Sequence, residues 1–163
     1  MRGMNRQRGA VLALSVMLVA LLGLLGLLAL QASTQQTRMA GNLLASLQAL
    51  ETAESLLLAG ESRLPGAAPG PCGFCLPPFD VANPGAGLPW QQQGSGRYLI
   101  QNLGRSERAR GMADGLPVTL FRVTAVAEER QARVVLESVV AVPLPPNDGP
   151  ARRIAWREIS RES

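Results

Sequence analysis

The sequence predicts an α+β protein in which one long N-terminal α-helix packs on a small antiparallel β-sheet. The helix is predicted from the run Ala10 to Leu30, which is apolar and without a charge, and from the helix-compatible residues that follow it. The sheet is predicted from three later segments, 97–102, 118–128 and 132–142, which alternate apolar and polar residues and are rich in Val, Ile, Leu, Tyr and Phe.

The apolar run 10–30 is long enough, at ~1.5 Å per residue, to span the ~30 Å hydrocarbon core of a bilayer, which a typical secretory signal is not. Leu30-Gln31-Ala32 is a poor signal-peptidase site, so the length favours a retained single-pass anchor over a cleaved secretory signal. Arginines precede the run and none follows it closely, which predicts a cytoplasmic N-terminus and a periplasmic or extracellular remainder.

The residues just before the run allow a third interpretation. Arg-Gln-Arg-Gly at 6–9, directly followed by apolar residues, resembles the leader of type IV prepilins. That resemblance implies cleavage between Gly9 and Ala10 on the cytoplasmic face by a prepilin peptidase, so that 1–9 is a leader and 10–30 is kept as membrane anchor and later as pilus-core helix. The alternative is an ordinary signal-anchor that a glycine happens to precede.

Residues 31–59 are predicted to continue the helix in amphipathic form, because apolar residues recur at spacings of three and four. The predicted core-facing positions are Ala40, Leu43, Leu47, Leu50, Ala53 and Leu57. Gly60 and the following Pro65-Gly66 are expected to end the helix, at a total length of roughly 75 Å. Gly41 within it predicts a local loosening, since glycine costs about 1 kcal/mol in a helix.

The stretch 38–61 contains Arg38, Met39, Ala40, Gly41 and Asn42, followed by an Ala- and Glu-rich segment that includes Glu54. It resembles the N-terminal signature of the PilX family of type IV pilus assembly proteins, which are minor pilins of Gram-negative bacteria. The resemblance implies a pilin-like fold with a periplasmic head at 60–163. Its implied partners are other minor pilins, the major pilin, the prepilin peptidase and the inner-membrane assembly platform, with membrane lipid before assembly.

Leu14 occupies the fifth position after the predicted cleavage, where major pilins usually have a glutamate that pairs with a neighbour's N-terminal amine. A subunit without that carboxylate resembles pilins and pseudopilins of the tip or the initiating complex. A plain membrane anchor has no use for such a glutamate either.

Cys72 and Cys75 are the only cysteines of the chain, and there is no histidine. One copy therefore cannot complete a four-ligand zinc site, and no cofactor is predicted. The pair can form a small structural disulfide, act as a redox dithiol, or remain as free thiols or bonds between chains. The surrounding prolines favour the disulfide, since a redox pair is expected at the start of a helix.

The segment 60–96 is predicted to be a Pro- and Gly-rich loop, and Glu129-Arg130-Gln131 is short enough to join the last two predicted strands as a hairpin. The polar stretch 104–117 connects the first two strands. In the C-terminal tail, Ile154-Ala155-Trp156 either supplies an edge strand or contacts a partner.

Enzyme function is not predicted, because the carboxylates lie in dissimilar loops and histidine, the commonest general base, is absent. A small-molecule substrate is not predicted either. The net charge of +4 is scattered, and three of its arginines belong to the predicted leader, so nucleic acid is an improbable partner. The sequence therefore predicts a minor pilin that acts in pilus initiation or assembly near the tip and supports adhesion, twitching motility or DNA uptake. The alternatives are a minor pseudopilin of type II secretion and a membrane-anchored periplasmic thiol-disulfide protein.

Overall fold

The computed structural model describes residues 4–64, 68–72, 75, 88–145 and 149–159, with side chains from residue 10 onward. It contains one helix followed by one sheet, so the predicted α+β class is confirmed. In chain order the elements are α1 (Met4–Ser62), β1 (Gln91–Gln93), β2 (Gly96–Ser106), β3 (Val118–Glu129), β4 (Ala132–Pro143) and β5 (Arg152–Glu158). The chain divides into two compact units, Met1–Leu43 and Leu44–Ser163.

Helix α1 runs for 59 residues without interruption. The loosening expected at Gly41 is not seen, since the helix is continuous on both sides of it. The helix also continues past the predicted end at Gly60 to Ser62, and a turn in which the Arg63 amide donates to the Gly60 carbonyl closes it. Gly60 does not end the helix because it is buried in the helix–sheet interface, where packing rather than helix propensity decides.

In the first unit, every described side chain from Ala10 to Ala40 is exposed. The large apolar side chains between Val11 and Leu30 are 57% to 69% exposed. The helix that carries them is long and apolar enough to cross a membrane. The predicted membrane-compatible helix is therefore present, and its described side chains from Ala10 to Leu30 are exposed.

The sheet is antiparallel throughout, in the order β1-β2-β3-β4-β5. The predicted hairpin between β3 and β4 is confirmed, with Arg130 at a φ of 54° in its two-residue turn. Ile154-Ala155-Trp156 lies in edge strand β5. The prediction that all of 60–96 is loop is wrong at its end, because Gln91–Gln93 forms β1 and pairs with β2 across the Gly94-Ser95 turn.

In the second unit, the last part of α1 packs on one face of the sheet. From the helix, the buried residues in this core are Ala49, Ala53, Leu56, Leu57 and the nearby Leu64. From the sheet they include Tyr98, Ile100, Phe121, Val123, Ala125, Ala127, Leu136 and Val140. The predicted core-facing positions are correct for Ala53, Leu57 and the half-buried Leu50, but wrong for Ala40, Leu43 and Leu47, which are exposed.

The helix lies close to the sheet because two glycines face the interface. A Cβ placed on Gly60 would lie 2.6 Å from Cγ1 of Val123, and one placed on Gly96 would lie 2.4 Å from Cδ1 of Leu56. Separations this short leave no room for a methyl group. Small residues therefore set the helix–sheet distance, which explains why Ala45, Ala49, Ala53 and Gly60 form most of the buried stripe, alongside Leu56 and Leu57.

Candidate functional site

The residues that carry the family resemblance lie on the surface of α1. Arg38, Met39, Ala40 and Asn42 are exposed, and Met39 is 70% exposed. Gly41 is half-buried, yet a Cβ placed on it would meet nothing within 4 Å. These side chains therefore do not build the core of their own chain, so folding alone does not explain their identities.

A second exposed apolar surface lies on the part of α1 that packs on the sheet. Leu44, Leu47 and Leu58 are 53%, 53% and 58% exposed. At 100° per residue they share one side of the helix with Glu51 and Glu54, which are also exposed. We call this set the outer stripe: Leu44, Leu47, Glu51, Glu54 and Leu58.

The spacing of the outer stripe, alternately three and four residues, is the spacing with which one helix packs along another. Three leucines supply apolar contact area, and two carboxylates add negative charge. The sheet contacts the other side of the helix, at Ala49, Ala53 and Leu57. The outer stripe can therefore take a partner helix while the head stays intact.

Glu61 fixes the end of α1 to two strands. Its carboxylate accepts a 2.6 Å hydrogen bond from Ser138 Oγ, and Arg153 donates to it from Nε at 2.8 Å and from Nη2 at 2.7 Å. The hydrogen bond to Glu61 raises the pKa of the Arg153 guanidinium above its ordinary value, against the opposing effect of partial burial. This two-pronged contact ties α1 to β4 and β5.

Cys72 and Cys75 form a disulfide with their Cα atoms 5.6 Å apart. Both sulfurs lie 3.0 Å from the backbone oxygen of Asn102 on β2, and the Cys72 amide donates to the same oxygen. Arg122 on β3 donates to the Cys75 carbonyl at 3.3 Å. The described part of this loop is therefore held against the sheet, and neither cysteine is itself helical; residues 73–74 and 76–87 lie outside the described residues. This arrangement fits a structural pin better than a redox centre.

On the sheet face opposite α1, Glu137 is a buried carboxylate, 5% exposed. Arg122 Nε lies 3.4 Å from its Oε2, and Arg157 Nη2 lies 2.8 Å from its Oε1. Sequence reasoning missed this group, although β-strand alternation combined with the register Glu137↔Arg157 brings the pair together. The two guanidinium groups supply the opposite charge that a buried carboxylate needs, and they join strands β3, β4 and β5 at this point.

Among the described residues, no group of three or more His, Cys, Asp or Glu side chains could hold a metal ion. The Gly9–Ala10 peptide bond lies within α1, and the side chains before residue 10 lie outside the description. Searches of protein-family models, curated proteins and solved structures return no match to this chain. The exposed apolar surfaces of α1 are thus the structural feature that bears most directly on function.

Proposed function

We propose that the protein is a minor pilin of the PilX type, which takes part in the initiation or assembly of a type IV pilus near its tip and so supports adhesion, twitching motility or DNA uptake. The observation that carries this proposal is a single continuous helix with apolar surfaces that its own chain leaves exposed, on a chain whose last helical turns are fixed to a sheet. An exposed apolar surface of this size requires a lipid or protein partner.

Lipid is the first partner in this proposal. The stretch 10–30 enters the inner membrane with the arginine-bearing N-terminus in the cytoplasm and the head in the periplasm. Prepilin peptidase then hydrolyses the Gly9–Ala10 bond, which discards the leader and keeps the helix. In the pilus, the same helix exchanges lipid contacts for contacts with other pilins at the cell surface.

The outer stripe supports the assembly step. A helix that only anchored a head to a membrane would need no leucines at heptad spacing beside the sheet, whereas a helix that packs along its neighbours does. Glu54, which lies in the segment that carries the family resemblance, is part of this stripe. Leu14 in place of an acid favours a special position near the tip.

A minor pseudopilin of type II secretion would use the same surfaces and stays the alternative within this class. A periplasmic thiol-disulfide protein is the alternative from another class, and the Cys72–Cys75 disulfide is the observation in its favour. Changing both cysteines to serine separates these: loss of insulin-reduction activity would support the redox protein, whereas lowered head stability alone supports the structural pin.

The cleavage step is tested by co-expressing the full chain with a prepilin peptidase and sequencing the N-terminus of the membrane-inserted product. We expect wild type to begin at Ala10, and Gly9→Leu to be inserted but uncut. Gly23→Leu is the matched control, because a Cβ at Gly23 meets nothing within 4 Å, and it should be cut normally. An intact Met1 in wild type, or a start at Ser33, would contradict the proposal.

The assembly step is tested with a photo-crosslinking amino acid placed at Leu47 in the outer stripe or at Gln48, which is also exposed but lies one helical position away. We expect Leu47 to crosslink to other pilins in piliated cells and Gln48 to do so much less. Equal crosslinking from the two positions would mean that the outer stripe is not the packing surface.

A further inference from the structure

Two connections meet at one end of the sheet, beyond the end of β2 and the start of β3. The first joins β2 to β3 through residues 107–117; together with Arg105, near the end of β2, we call it the arginine loop. It is built from tight turns, in which the Met112 amide donates to the Ala109 carbonyl and the Leu116 amide to the Ala113 carbonyl, each at 3.1 Å. The second joins β4 to β5, and its described residues are 144–145 and 149–151. The Leu144 amide of the second connection donates to the Pro117 carbonyl of the first at 3.0 Å.

Strand β5 also supports the arginine loop. The Arg152 guanidinium donates a hydrogen bond to the carbonyl of Gly111, which has a φ of 76°. That positive φ is readily accessible to glycine and rarely to other residues. The loop is therefore held in one conformation by contacts with its neighbours, which lowers the entropic cost of binding a partner there.

An open cavity of about 330 Å³ lies between the two connections. Its walls include the apolar side chains of Met112, Leu116, Pro143 and Pro150, with Arg152 at its edge. A second depression, of about 500 Å³, lies over residues Glu107 to Gly115 of the arginine loop. The 330 Å³ cavity lies at the lower end of the size range of binding pockets, and its apolar lining can accept one side chain.

Arginines line the second depression and a third one of about 420 Å³ that shares Glu107 and Arg108 with it. Arg108 and Arg110 line the second depression, and Arg105 and Arg108 line the third. Arg105, Arg108 and Arg110 are exposed, and within the described residues none of them pairs with a carboxylate. Four arginines elsewhere differ: Arg122, Arg133, Arg153 and Arg157 each lie within 4 Å of a glutamate oxygen. Among the described residues no carboxylate occupies the bidentate donors of the arginine loop, so these donors can bind a partner's carboxylates.

We propose that this end of the sheet is a docking site for an acidic peptide segment of a partner protein, with one apolar side chain in the 330 Å³ cavity and flanking carboxylates on Arg108 and Arg110 in the adjoining depression. An apolar centre with a charged rim is the usual anatomy of a protein-binding surface. Nucleic acid fits less well, because the arginine loop has no aromatic residue for base stacking. The proposal goes beyond the assembly role and needs no packed helices.

The test measures fluorescence anisotropy of a labelled peptide, Glu-Asp-Leu-Glu-Asp, with the full chain in dodecyl maltoside micelles at low ionic strength. We expect saturable binding that weakens about fivefold for the Arg108→Ser/Arg110→Ser double variant, given the modest strength of exposed ion pairs. Arg130→Asn is the matched control, because it removes an exposed arginine from the β3–β4 turn and asparagine tolerates the φ of 54°. It should leave binding unchanged.

Two further arms examine the cavity and the class of partner. The peptide Glu-Asp-Gly-Glu-Asp should bind several-fold more weakly than the leucine peptide, and Met112→Ser should reduce that preference. Equal binding of the two peptides by wild type overturns the proposal, and so does equal loss of binding in the control and loop variants. A single-stranded DNA 20-mer that binds more tightly than the leucine peptide would also overturn it, in favour of nucleic acid.

Discussion

The two ends of α1 are turns of one helix, yet their apolar residues are used in opposite ways. From Val11 to Leu30, leucines, valines and methionines are 57% to 69% exposed. From Ala45 onward, alanines and Gly60 are buried, and only Leu56, Leu57 and the nearby Leu64 join them among the larger residues. The difference shows that apolar size alone does not mark the side of a helix that its own chain covers.

The reason lies in the distance between helix and sheet. Gly60 and Gly96 leave no space for a Cβ, so the backbones approach closely and small residues fill the interface. Large side chains on the outer stripe then lie on the far side of the helix, where the described residues leave them exposed. Substitutions that exchange these two environments test the comparison.

Adjacent leucines give the largest expected contrast. Leu57 is 1% exposed and Leu58 is 58% exposed. We expect Leu57→Ala to lower the free energy of unfolding of the head by about 2–5 kcal/mol, because it removes a buried side chain and leaves a cavity. Leu58→Ala should change it by less than about 0.5 kcal/mol.

The measurement is urea unfolding of the full chain in detergent micelles, followed by tryptophan fluorescence. Both tryptophans, Trp90 and Trp156, lie in the second unit, so the signal reports on the head alone. Similar losses for Leu57→Ala and Leu58→Ala would show that the assigned buried side of α1 is wrong.

Substitution by alanine at two glycines of α1 should change stability in opposite directions. Gly60→Ala places a Cβ 2.6 Å from Val123 Cγ1, and we expect overpacking to cost about 1–3 kcal/mol. Gly41→Ala meets nothing within 4 Å and should strengthen the helix by about 0.5–1 kcal/mol, from its better helix propensity. Fluorescence unfolding measures the first and circular dichroism of the helix the second. A stabilised Gly60→Ala variant would contradict the close approach.

Much of the fold could be predicted from local patterns. The long helix, the three central strands and the β3–β4 hairpin follow from periodicity and from a short turn segment, because each depends on residues close in sequence. β1 was missed because three glutamines have no strand pattern of their own. It forms through pairing with Arg97 and Tyr98, and the Gly94-Ser95 turn was the available signal.

The helix side that faces the sheet was harder to predict for a physical reason. Leu43 and Leu47 are four residues apart, and so are Ala49 and Ala53. Helical periodicity therefore identifies two stripes and does not show which of them faces the sheet. The choice depends on Gly60 and Gly96, which meet Val123 and Leu56 across the interface only after folding. The same holds for the Glu137 cluster and for the Glu61 contacts, which join residues from distant parts of the chain.

The Glu61–Arg153 pair should give a smaller effect than the core substitutions. Arg153→Gln removes a bidentate contact that is partly exposed to solvent, so we expect a loss of about 1 kcal/mol in unfolding free energy. Arg105→Gln is the matched control, since the described residues give Arg105 no ion pair, and it should have almost no effect. Equal losses would mean that the Glu61 contact does not hold the helix end.

The same pair predicts how that loss depends on pH. Glu61 raises the pKa of Arg153 in the folded protein, so the stabilisation from the charged guanidinium is fully present below its unfolded pKa and is lost only as pH rises through the folded pKa. The difference between wild type and Arg153→Gln should therefore be constant between about pH 6 and pH 9. A difference that shrinks across that window would assign the effect to another group.

The smallest expected effect comes from the largest deletion. Because every described side chain from Ala10 to Ala40 is exposed, removing residues 2–30 takes no side chain from the core of the head. We expect the unfolding free energy measured by tryptophan fluorescence to change by less than about 0.5 kcal/mol, while the need for detergent disappears. The full chain in micelles is the control. A loss above about 1 kcal/mol would mean that the apolar stretch stabilises the head directly. An unchanged head would leave the exposed leucines of 10–30 available for the contacts with lipid and with neighbouring subunits that the proposed function requires.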